Sequence, residues 1–117
     1  MEEFKIKEKI YDMILYGSPA LVQFPKSEKY VLASKIRETM YRMFELAVSI
    51  EKKYYKKTTL QELDIELDVL RHLVRLSADK RLYPNQTPCL PIKKYEHWAR
   101  LLDEIGRMIG GYMKSVK

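Results

Sequence analysis

Few residues in this chain could do covalent or metal chemistry. His72 and His97 are its only histidines and Cys89 its only cysteine. Neither histidine has a Glu three residues before it, so the Glu-x-x-His pairs that hold iron inside a helical bundle are missing. No H-x-x-E-H, C-x-x-C or G-x-x-x-x-G-K run occurs, which leaves zinc and phosphate-loop chemistry without support. Cys89 lies in a Pro-rich stretch with no histidine beside it and is poorly placed as a nucleophile. His97 next to Trp98, and His72 next to Arg71, read as packing or surface residues rather than ligands. The inventory points to no enzyme, no cofactor and no metal.

Binding remains. The formal net charge is +6 and the pI near 9.3, which favours an anionic partner: nucleic acid first, an acidic protein or lipid surface second. Residues 26–57 hold nine Lys/Arg against four Asp/Glu, a net +5. Lys26 and Lys29 open that segment, and Lys52, Lys53, Lys56 and Lys57 close it around Tyr54 and Tyr55. Aromatic faces between cations suit unpaired bases, although a solvated helix end is the simpler account of any one of those lysines. Tyr11, Tyr41, Tyr95 and Tyr112 fall on or beside apolar stripes and read as core. A second cationic feature is Arg71 with Arg75, which follow Asp64 and Asp68 along one strip. It is either a solvated ion-pair strip or an arginine patch aimed at phosphate or an acidic neighbour.

The elements that must position these residues are helices. From Leu60 to Leu82, Leu60, Leu63, Leu67, Leu70, Val74 and Ala78 form one apolar face. Ile65, Val69 and Leu76 form a second, with Leu73 between the two. One bundle cannot bury both, so Ile65, Val69, Leu73 and Leu76 are expected to form an oligomer interface. Before it, Ile36, Met40, Met43, Ala47 and Ile50 make an inward seam, widened by Tyr41, Phe44 and Val48. In the first helix Ile6, Ile10, Met13, Ile14 and Leu21 recur at helical spacing, with Tyr11, Leu15 and Val22 on a neighbouring face. The last helix carries Tyr95, Trp98, Leu102, Ile105, Ile109, Tyr112 and Val116 at three- and four-residue steps.

The spacing predicts helices over about 4–23, with a kink near 17–19 or a break there, then 27–54, 59–81 and 91–114. Ser27 and Thr58 or Thr59 are the N-cap candidates, with Pro91 as first residue of the final helix. Gly106, Gly110 and Gly111 weaken that helix, so a neighbouring backbone is expected close to Gly106 and Gly110. No strand signal occurs. The expectation is one all-α domain, an up-down-up-down four-helix bundle. A single cysteine fits a reducing cytoplasm. No apolar run is long enough to span a bilayer, and MEEFKIKEK is too polar for a signal peptide. The protein is thus expected in the cytoplasm, away from membranes.

Three segments together carry a resemblance: FPKSEKYVLASKIRETMYRM, ELDIELDVLRHLVRLSAD and LLDEIGRMIGGYMK. The chain resembles small bacterial four-helix-bundle proteins, most closely the accessory variability determinant (Avd) family of diversity-generating retroelements. A sister group is encoded in intervening sequences of large-subunit ribosomal RNA genes. The most specific part is Glu104-Ile105-Gly106-Arg107-Met108-Ile109-Gly110-Gly111, supported by the run from Leu70 to Leu76. The resemblance implies a ring or barrel-like homopentamer that binds a reverse transcriptase and RNA, possibly also DNA, and supports mutagenic cDNA synthesis. By motif position it implies Arg71, Arg75 and Arg107 as basic binding residues. The alternative is a structural or regulatory oligomer of the ribosomal RNA intervening-sequence group, without a reverse transcriptase partner.

Overall fold

A computed structural model describes residues 5–116. Its helices are α1 (Ile6–Val22), α2 (Lys26–Lys29), α3 (Leu32–Lys52), α4 (Lys57–Ala78) and α5 (Ile92–Ser115), and no strand occurs among the described residues. The four long helices form a bundle 51 × 22 × 20 Å. α1 packs on α3 and α5, and α4 packs on the same two, so α1 and α4 stand on opposite corners.

Apolar periodicity explains the packing. Ile36, Met40, Met43, Ala47 and Ile50 of α3 are fully buried, as are Leu60, Leu63, Leu70 and Val74 of α4. Trp98, Leu102, Ile105 and Ile109 complete the core from α5. Phe24, Cys89 and Leu90 close one end of it from the connecting segments.

The helix boundaries differ from those expected, and each difference has a local cause. α1 runs unbroken through Pro19. Pro19 and Leu15 are both exposed, so the carbonyl that loses its helical donor lies on the solvent side. The second expected helix is split by Tyr30 and Val31 into α2 and α3. Ser27 is no cap; Pro25 stands at that position. Glu28 turns inward instead, and its carboxylate accepts from the Leu32 backbone N–H at 3.4 Å and from the Tyr83 hydroxyl. A glutamate four residues upstream therefore serves the start of α3.

Thr58 and Thr59 cap nothing, because α4 begins at Lys57. Lysines hold this corner: Lys56 Nζ donates to the Ile50 carbonyl at 2.6 Å, and Lys53 Nζ to the buried Thr59 hydroxyl at 2.9 Å. Pro91 is the N-cap of α5 rather than its first residue, and its carbonyl accepts from Tyr95 N–H.

The close approach between helices also lies elsewhere. A Cβ at Gly17 would stand 2.5 Å from the ring of Trp98, so α1 and α5 meet there. At Gly106 the missing Cβ leaves room for the Arg71 guanidinium, whereas Gly110 and Gly111 have open space. Gly110 is therefore not a packing glycine.

Candidate nucleic-acid and partner surfaces

The candidate residues separate into several regions. Lys26 and Lys29 lie exposed on α2, at one end of the bundle. Lys52, Lys53, Lys56 and Lys57 lie at the α3–α4 corner, at the far end of a 21-residue helix, about 31 Å away. The basic segment of the sequence is thus two patches. At the corner, Lys53 and Lys56 are engaged in the hydrogen bonds above, which leaves Lys52 and Lys57 facing water. Tyr54 and Tyr55 are more than four-fifths exposed and meet edge to face, with ring centroids 4.8 Å apart.

The two arginines of α4 do different things. Arg71 reaches α5, donating to the Asp103 carboxylate at 2.8 Å and to the Leu102 carbonyl at 3.4 Å. It clamps α4 to α5 across Gly106 and does not pair with Asp68. Arg75 is exposed one turn later. It lines a groove of about 260 Å³ with His72, Tyr95 and Ala99. Among the described residues no group of three or more His, Cys, Asp or Glu is placed to hold a metal ion.

Two acids of α5 are held by cations of its neighbours. Asp103 is taken by Arg71, and Glu104 by Lys9 of α1 at 2.7 Å. That hydrogen bond, with the ammonium charge behind it, keeps the Glu104 carboxyl below the ordinary carboxylate range and raises Lys9. At the end of α4, Arg81 holds Asp79 far below that range in the same way. Burial, aided by the charge of Glu28, raises the Cys89 thiol and keeps it a poor nucleophile.

Arg107 is exposed on the outer face of α5, in line with Lys93, Arg100 and Lys114 at seven-residue steps. Of these four, the sequence resemblance picks out only Arg107. The row is masked there by Glu96, Asp103 and Glu104, and a seven-residue count of charge alone would have found it.

The apolar surfaces are as important. Ile65 is 61% exposed, Val69 and Leu76 about two-fifths, and Leu73 is half-buried on their flank. A second such surface lies on the opposite corner of the bundle. Leu15 is 60% exposed, with Tyr11 and Val22 beside it on α1 and Tyr41 and Val48 on α3. Tyr11 and Tyr41 are therefore surface residues and not core. Tyr11 reaches the α3 side through a ring contact with Phe44.

Fold and surface together define a class: an all-helical bundle with a cationic exterior, whose distinguishing features are faces rather than an enclosed site. The family model described as bAvd-like matches residues 4–116, and the chain belongs to that family. A comparison with curated proteins gives no match. Among the described residues no helix is long and apolar enough to cross a membrane.

Proposed function

We propose that this protein is a non-catalytic accessory subunit of a diversity-generating retroelement, acting in the cytoplasm. It assembles with copies of itself and binds the element's reverse transcriptase and template RNA, supporting mutagenic cDNA synthesis. The observation that carries this reading is the family match over nearly the whole chain. The net charge of +6 supports a nucleic-acid partner.

Assembly is supported by the two apolar faces on opposite corners. A two-fold dimer pairs a face with itself and leaves the other face in water. Head-to-tail contact covers both faces at once, and when its rotation closes it gives a ring. The Avd resemblance implies five copies in that ring.

Co-purification with the reverse transcriptase of a retroelement, with and without its RNA, tests the function. Retention of both partners is expected. An assembly that retains neither partner is instead a structural oligomer of the ribosomal RNA intervening-sequence kind.

A further inference from the structure

We infer that the outer face of α5 is a phosphate track that docks helical RNA, with Lys93, Arg100, Arg107 and Lys114 as its contacts. The inference rests on the reading of the protein as an RNA binder and says where and how the RNA lies. All four cations are exposed, and none is in a hydrogen bond or ion pair with another described residue. Their seven-residue steps put them about 10.5 Å apart in a row about 31 Å long that winds about 20° around the helix at each step.

Acids nearby offset the row only in part, with Glu104 feeling the charge of Arg107 as well as that of Lys9. Asp103 and Glu104 are occupied by Arg71 and Lys9, which leaves Glu96 as the one acid of α5 without a partner among the described residues. The other helices present nothing similar. The solvated side of α3 alternates Lys35, Glu38, Arg42 and Glu45, and the exposed charges of α1 and α4 are mainly acidic, Glu8 and Asp12 on one and Glu62, Asp64 and Asp68 on the other, beside their apolar stripes. Spacing of about one Debye length at 0.1 M salt keeps self-repulsion within the row small. A polyanion lying along the helix meets all four charges together.

The chemistry of the face selects phosphate over base. Trp98 is buried and Tyr95 and Tyr112 are half-buried, and the exposed His97 ring between Lys93 and Arg100 packs against Tyr16 with centroids 4.4 Å apart, so α5 offers no tyrosine or tryptophan face open to a base along this row. Gly111 lies in the row between Arg107 and Lys114 with open space above it, so the backbone can be approached closely. A stiff duplex meets a gently winding, rigid row without the ordering cost of a flexible strand. Its counterion release per contact is also greater. The Tyr54–Tyr55 corner has the opposite character, since exposed rings between lysines suit single strands.

The test measures binding of a short RNA duplex, and of oligouridylate of equal length, to the assembled protein across a salt series. Wild type should prefer the duplex. Arg100→Glu with Arg107→Glu should weaken duplex binding by at least about tenfold and lower the log–log salt slope by about 0.9 per lost contact. Glu96→Lys should tighten it, and Lys52→Glu with Lys57→Glu should act mainly on the single strand. Wild-type-like duplex binding by the Arg100/Arg107 variant overturns the inference and leaves the RNA-binding reading standing. So does loss of assembly size or of reverse transcriptase in that variant while duplex binding holds, because the face is then a protein contact. A wild-type preference for the single strand moves the site to the tyrosine corner. No binding of either RNA by wild type removes the RNA-binding reading itself.

Discussion

Gly17 and Trp98 show how one missing Cβ places a helix. The indole is fully buried between α1 and α5, and the position a Cβ would take at Gly17 is 2.5 Å from it. Gly17→Ala should therefore destabilise by about 1–3 kcal/mol through overpacking. Gly110→Ala should do the opposite, because its Cβ meets nothing and the helix gains up to about 1 kcal/mol of propensity. Chemical denaturation of the two variants reads both signs. A Gly110→Ala protein less stable than its parent would show that the open space is filled in the assembly. The Lys9–Glu104 pair makes a second residue-scale prediction. The carboxyl of Glu104 is held below its ordinary value when folded, so the unfolded chain binds more protons through the carboxylate range. The pair's contribution is complete above that range and is lost as pH falls through the depressed value. Both side chains are well exposed, so the effect is small and weakened by salt. Glu104→Gln should flatten the acid limb of the stability–pH curve at low ionic strength and change little at neutral pH. An unaltered acid limb would leave the pair without a role in stability.

At the scale of elements, the bundle seams were legible and the helix starts were not. Ile36, Met40, Met43, Ala47 and Ile50 recur at three- and four-residue steps because they must face one core, and a pattern of that kind is written in the sequence. Caps are legible only when the capping group is local. Here the Glu28 carboxylate serves Leu32 from four residues upstream, and the Tyr83 hydroxyl joins it from 55 residues away in the chain. The lysine ammoniums do the same at the α3–α4 corner, where Thr58 and Thr59 had offered the stronger local signal. The basic residues show the same limit. Charge counts located Lys52 to Lys57 but could not say that Lys53 and Lys56 are hydrogen-bonded to Thr59 and the Ile50 carbonyl. Glu28→Ala should cost about 1–3 kcal/mol, because the Tyr83 hydroxyl and the start of α3 both lose their acceptor. Ser27→Ala should stay within about 0.5 kcal/mol. Equal losses in thermal or chemical melts would return the capping role to Ser27.

The whole molecule is defined by what a single copy leaves uncovered. Ile65, Val69 and Leu76 face one way from α4, while Leu15, Val22 and Tyr41 face another from the α1–α3 side. Because α1 and α4 occupy opposite corners, a copy placed against one face leaves the other free for the next copy. Such an arrangement predicts a particular result from mixing variants. Val69→Glu places an unpaired charge in one face and Leu15→Glu in the other, and in the proposed head-to-tail ring either change alone should prevent closure. Each variant keeps one intact face, and the two intact faces are complementary. An equimolar mixture should therefore form a heterodimer and stop there, since every further contact requires a damaged face. Light scattering of the separate and mixed variants distinguishes the cases. A two-fold contact through α4 alone predicts that Leu15→Glu assembles like the parent and that mixing rescues nothing. Head-to-tail contact predicts two monomers that become one dimer.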